Sequence, residues 1–166
     1  MDEQALREGW AKKAADHVVG CGTRSRQHRA TWGVWATVTA VLTVLGVGGA
    51  ALASASLLSD AEEGSTLRLV GGWLGVVAAI ASALNVWTVS QTNAHKKGRD
   101  GFAALRSRFA DFAILTSRAE AFEKVRSDWE NLTAQREQVQ ADSPEPPRWP
   151  SGLVDWFDRR RDRARP

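Results

Sequence analysis

The chain has 166 residues, with 22 Lys and Arg against 19 Asp and Glu, eight Trp, no Tyr and one Cys. Its length admits one ordinary domain, and 43% apolar with 25% charged residues would suit a soluble one if the two kinds were mixed. They are segregated: no charge falls between Arg29 and Asp60, a gap of 30 residues, or between Arg68 and Lys96, a gap of 27, which excludes a single soluble core and speaks against an enzyme with a buried polar site.

The first 29 residues hold a short helical candidate, Glu3 to Val19, which Gly20-Cys21-Gly22 is expected to interrupt. Cys21 has no partner for a disulfide. It reads either as an unmodified small residue or, ahead of a membrane span, as a thiol open to lipidation.

A bilayer core of roughly 30 Å takes about 20 apolar residues as helix. Val34 to Leu57 supplies one such span and Leu69 to Val89 a second. Neither run alternates with a period of two, and helix satisfies its own backbone in lipid, so helix is predicted. Two competing readings are weaker. A soluble bundle has too little other apolar sequence to wrap these two runs. A signal peptide cleaved after Ala51-Leu52-Ala53 would need a short charged leader, whereas about 30 polar residues precede the run.

The connector from Asp60 to Arg68 carries three acids and one base, while Arg24, Arg26 and Arg29 precede the first span and Lys96, Lys97 and Arg99 follow the second. The positive-inside rule therefore expects both termini in the cytoplasm and the acidic loop outside. Trp32, Trp35 and Trp87 at the basic ends, and Trp73 near the acidic end, suit the headgroup region.

Small residues stripe both spans. In the first, Thr39, Thr43, Gly46, Ala50 and Ser54 follow at steps of 4, 3, 4 and 4. In the second, Gly71, Gly75, Ala79 and Ala83 repeat every four, and a neighbouring stripe of Gly71, Gly75, Ala78, Ser82 and Asn85 adds polar groups. Such stripes let backbones approach closely. Asn85 costs energy in lipid unless it bonds across helices or meets water. The stripes close a two-helix hairpin, line a pore between subunits, or do both.

Beyond the second span, Gly101 to Asp142 is charge-rich and free of Pro. Phe102, Leu105, Phe109 and Phe112 form a heptad-type seam, resumed by Leu115, Phe122, Val125, Trp129, Leu132 and Val139. The two halves are one residue out of phase, which predicts one helix with an irregularity or two helices breaking near Thr116-Ser117. Surrounding charges such as Glu120 and Lys124 read as a solvated face. The seam needs a partner: this chain, its N-terminal helix, or another subunit. Pro144, Pro146, Pro147 and Pro150 end the helical region. The tail, Leu153 to Asp158 followed by Arg159, Arg160 and Arg161, reads as a disordered end or a segment lying on an anionic membrane.

No catalytic constellation is present: His17, His28 and His95 are scattered, and there is no HExxH, paired-Cys or phosphate-loop motif. No cofactor or metal site is expected. Nor is nucleic-acid binding, because the basic residues sit at the borders of the spans.

This order of parts resembles a family. Arg24-Ser-Arg-Gln-His-Arg29 enters a Trp-bearing span, a short loop leads to a second span, and an Asn-bearing exit runs into Lys96-Lys97. A charged helix with Leu105-Arg-Ser-Arg-Phe109 and a Pro-Trp tail follow. The pattern, over about residues 15–150, is similar to the SLATT domain, a bacterial two-transmembrane effector module tied to nucleotide-synthesising and nucleotide-sensing conflict systems. The resemblance lies in hydropathy and helix lengths, and it carries over no site residue. It implies a predicted pore-forming effector of the inner membrane that arrests an infected cell when a partner makes or senses a nucleotide.

The expected fold is therefore all-α, an integral membrane two-helix hairpin with a long cytoplasmic helical region. Its parts are a cytoplasmic N-terminal segment (1–29), the hairpin (30–95), the cytoplasmic helices (96–142) and a linker with a basic tail (143–166). The expected function is a membrane effector that homo-oligomerises to form a pore or disrupt the membrane, with the seam as its cytoplasmic assembly surface and with membrane lipid and a nucleotide-linked protein as partners. A non-conducting scaffold that recruits a partner through its cytoplasmic helices is the alternative.

Overall fold

Helix propensity and two long charge-free runs allow very long helices here, and the computed structural model has three. It describes residues 2–58, 66–116 and 121–146. They form α1 (Glu3–Leu58), α2 (Thr66–Leu115) and α3 (Phe122–Asp142), with no strand among them. The acidic connector between the spans, Glu120 and the tail beyond Pro146 lie outside the described residues apart from the connector's last three, Thr66 to Arg68.

The break expected at Gly20-Cys21-Gly22 does not occur; α1 is continuous through it. A glycine inside a helix costs about 1 kcal/mol against alanine. Packing of the intervening residue outweighs this, since Cys21 is buried in the core with Ala14. The break near Thr116 does occur. Seam spacing carries on from Phe112 to the buried Thr116, four residues on, rather than to the half-buried Leu115. Thr116 Oγ1 donates to the Ala113 carbonyl at 2.9 Å. The apparent one-residue slip in the sequence thus marks the end of α2.

The chain divides into two units, one of residues 1–31 with 94–166 and one of residues 32–93.

In the first unit α1, α2 and α3 make a three-helix bundle. Its core is Ala14, Cys21, Phe102, Leu105, Phe109, Phe112 and Val125, flanked by Trp10, Val18, Trp129, Leu132 and Val139. Trp10 stacks on Phe122 with ring centres 5.6 Å apart, and His17 stacks on Trp129 at 5.8 Å. Trp129 also meets Phe109 and Phe112. Equal offsets in the pairs 10–122 and 17–129 make α1 and α3 parallel, with α2 antiparallel to both. Gly101 makes this possible on α2: a Cβ there would lie 3.0 Å from Val139 Cγ1.

The seam of Phe102, Leu105, Phe109, Phe112, Val125, Trp129 and Leu132 is therefore closed inside one chain, against the N-terminal helix. Phe109 is 0% exposed. An assembly role for the seam, expected on the ground that it would otherwise be bare, loses that ground.

Candidate functional site: the hairpin interface

The second unit holds the two most apolar stretches, in helices long and apolar enough to cross a membrane. Only 11% of the residues in the most apolar window of α1 and 17% in that of α2 are buried, the opposite of a soluble core helix. Large side chains point outward: Val44, Val47 and Leu52 on α1, Trp73, Ile80 and Val86 on α2. Small ones point inward: Gly46, Ala53 and Ser56 face Gly71, Ala78, Ala81 and Thr88. Small inside and large outside is how helices associate in lipid; in water the same surface would be an extended apolar patch. Two such helices suggest a membrane protein.

The interface descends as a ladder. Thr39 and Thr92 hydroxyls lie 3.3 Å apart. Asn85 Nδ2 donates to Thr43 Oγ1 at 3.1 Å, and Thr43 in turn donates to the Thr39 carbonyl at 2.9 Å. Below them the backbones touch through missing side chains. A Cβ on Gly46 would lie 2.9 Å from Ser82 Oγ, and one on Gly49 would lie 3.2 Å from Ala78 Cβ and 3.3 Å from the Leu74 carbonyl. A Cβ on Gly75 would meet Ala53 at 3.7 Å, and one on Gly71 would overlap Ser56. At the opposite end Trp35 and Trp87 meet edge to face at 5.1 Å. Asn85 Oδ1 is buried with no hydrogen-bond donor.

Thr39, Gly46, Gly71, Gly75, Ser82 and Asn85 thus belong to the interface, with Thr43 at its edge. Ala50, Ser54, Ala79 and Ala83 are exposed and lie off it. The reason is angular. Three four-residue steps turn a helix about 1,200°, leaving the last residue roughly 120° from the first. Steps alternating 3 and 4 stay on one seam, and α1 follows them through Thr39, Leu42, Gly46, Gly49, Ala53 and Ser56. Gly49, Ala53, Ser56, Ala81, Thr88 and Thr92 fall outside the stripes expected from the sequence, and a 3–4 alternation carried along each whole run is the sequence signal for them.

Within the first unit, Cys21 is 2% exposed, and burial pushes its thiol pKa up. A buried, protonated thiol is poorly placed for lipidation. His17 and His95 are held below the usual histidine range, chiefly by burial. His28 is lowered to about 4 by burial, then by His95 and Arg24. Among the described residues no group of three or more His, Cys, Asp or Glu is placed to hold a metal ion.

Compared with known protein families, curated proteins and solved structures, the chain matches none.

Proposed function

We propose that this chain is a two-span effector of the bacterial inner membrane, both termini cytoplasmic, which oligomerises to form a pore or disrupt the bilayer when a nucleotide-synthesising or nucleotide-sensing partner signals infection. The inverted packing of the hairpin carries the membrane part of this reading. The interface is built of glycine, alanine and hydroxyl side chains while valine, leucine and isoleucine face out, as helices in lipid require. Basic residues on the terminal side of both spans support the orientation. The effector part rests on the likeness in layout to the SLATT domain. The buried, donorless Asn85 Oδ1 supports rearrangement, because an unmet acceptor in an apolar setting is relieved by a second arrangement that brings it water or a donor.

One observation favours the scaffold reading. The cytoplasmic seam is closed within the chain, so among the described residues that seam offers subunits no bare apolar surface to share, and the spans are the larger exposed apolar surface for homo-oligomers.

Membrane potential in cells separates the two. Co-expression with the signalling partner should depolarise cells if the chain is an effector, and a reporter fused after Pro166 should be active only in the cytoplasm. Unchanged potential with the chain inserted and its partner bound supports the scaffold.

A further inference from the structure

Several observations single out one cluster in the bundle, at the end where α1 and α2 leave it. His28 is 0% and His95 2% exposed, and their Nδ1 atoms lie 3.1 Å apart. His28 stacks on Phe102 with ring centres 5.6 Å apart and planes 18° from parallel. The ring fits only because residue 98 is glycine, where a Cβ would fall 2.9 Å from His28 Nδ1. His28 Nε2 is buried with no hydrogen-bond partner. One turn away, Ser25 Oγ donates to the Arg99 carbonyl at 3.1 Å, so the pair is part of what joins α1 to α2 here.

The groups that act on His28 directly are both basic. From α1, Arg24 lies over Phe102, its guanidinium carbon 5.9 Å from the ring centre. From α2, His95 faces His28 directly. The acids of the neighbouring turns face other bases: Asp100 pairs with Arg99 at 2.7 Å, and the exposed Asp142 of α3 lies 4.0 Å from Lys97. In the neutral pair one Nδ1–H donates to the other Nδ1. A first added proton places a charge in a dry site beside Arg24, with Nε2–H of His28 unmet. A second turns both Nδ1 atoms into donors pointed at each other. Each step favours hydration, which requires the helices to part.

We propose that His28 and His95 form a proton-operated latch, closed while both rings are neutral and opened by acidification, which parts α1 from α2 at the residues leading directly into the apolar spans. With His28 at about 4 in the closed bundle against an ordinary 6.5 once hydrated, closure is fully supported above about pH 6.5 and loses support as the pH falls towards 4. Between pH 7.5 and pH 5 the open population rises about 30-fold through His28 alone, and His95 adds to it in the same direction. The latch does not depend on whether the spans conduct.

The test is hydrogen exchange of the full-length protein in nanodiscs at pH 7.5 and 5, corrected for intrinsic exchange, read over residues 22–31 and 94–102. The wild type should lose protection by at least about 30-fold at pH 5, while His28→Phe combined with His95→Leu should show no such change. His17, on the Trp129 side of the bundle, is intact in both proteins and serves as the control. Should the double variant not fold, ring ¹⁵N shifts of labelled histidines in the wild type give the answer directly, with the His28 midpoint well below 6 and the His95 midpoint shifted down from the usual histidine range. Protection independent of pH, equal loss in both proteins, or midpoints near 6.5 would each overturn the latch. So would strong added protection of these segments by zinc at pH 7.5, which would make the two Nδ1 atoms a metal clamp instead.

Discussion

Gly48 and Gly49 are adjacent glycines in the same apolar run, yet they should respond oppositely to the same change. A Cβ on Gly48 meets nothing within 4 Å, whereas one on Gly49 lies 3.2 Å from Ala78 Cβ and 3.3 Å from the Leu74 carbonyl. Carbon atoms settle at about 3.5–4.0 Å, so Gly49→Ala must part the helices by roughly 0.5 Å, and the neighbour on one side is backbone that cannot swing away. Gly49→Leu adds three further carbons in the same gap. Overpacking of this kind costs about 1–3 kcal/mol, with leucine at the upper end, whereas Gly48→Leu should be neutral or mildly stabilising because it adds outward apolar surface and removes a helix glycine. Spin labels at Leu45 and Val77 would read the helix separation, and titration with a denaturing detergent would read hairpin stability. Gly49→Leu should lengthen the distance and lower the midpoint, and Gly48→Leu should leave both near wild type. Equal responses at the two positions would refute the packing register.

Other substitutions test other parts of the account. Gly20→Ala meets open space and should stabilise α1 by about 0.5–1 kcal/mol, seen as a higher melting temperature. Phe109→Ala empties the centre of the bundle and should cost about 3–5 kcal/mol. It should also expose Cys21, whose labelling by a maleimide should rise from slow to rapid. Asn85→Leu removes both the bond to Thr43 and the donorless oxygen, so hairpin stability should change by under about 1 kcal/mol, while depolarisation should be lost if that amide takes part in opening.

Much of this fold is legible in the sequence because charge is so unevenly placed. Two charge-free runs mark the two apolar helical stretches, and the Phe102–Phe112 seam marks the inner face of α2. What escaped was decided by tertiary packing. Gly20 and Gly22 read as a break, but burial of Cys21 between them holds the helix. The four-residue repeat through Ala79 and Ala83 looked like an interface, yet only the 3–4 alternation through Ala78, Ala81, Asn85 and Thr88 keeps pace with the turn of the helix. His28 and His95 carry no motif and are 67 residues apart. Their one sequence signal is symmetry: His28 stands just before the first charge-free run and His95 closes the second, so folding the hairpin sets them opposite each other.

The central claim, that the hairpin is a signal-gated membrane effector, is tested most directly by ion flux from purified protein in liposomes. Potassium release would be followed with and without the signalling partner and its nucleotide product, for the wild type and for Gly49→Leu. The account predicts release from the wild type only when the signal is present, and its loss in Gly49→Leu at equal insertion. A wild type that stays silent with partner and nucleotide both supplied would contradict it.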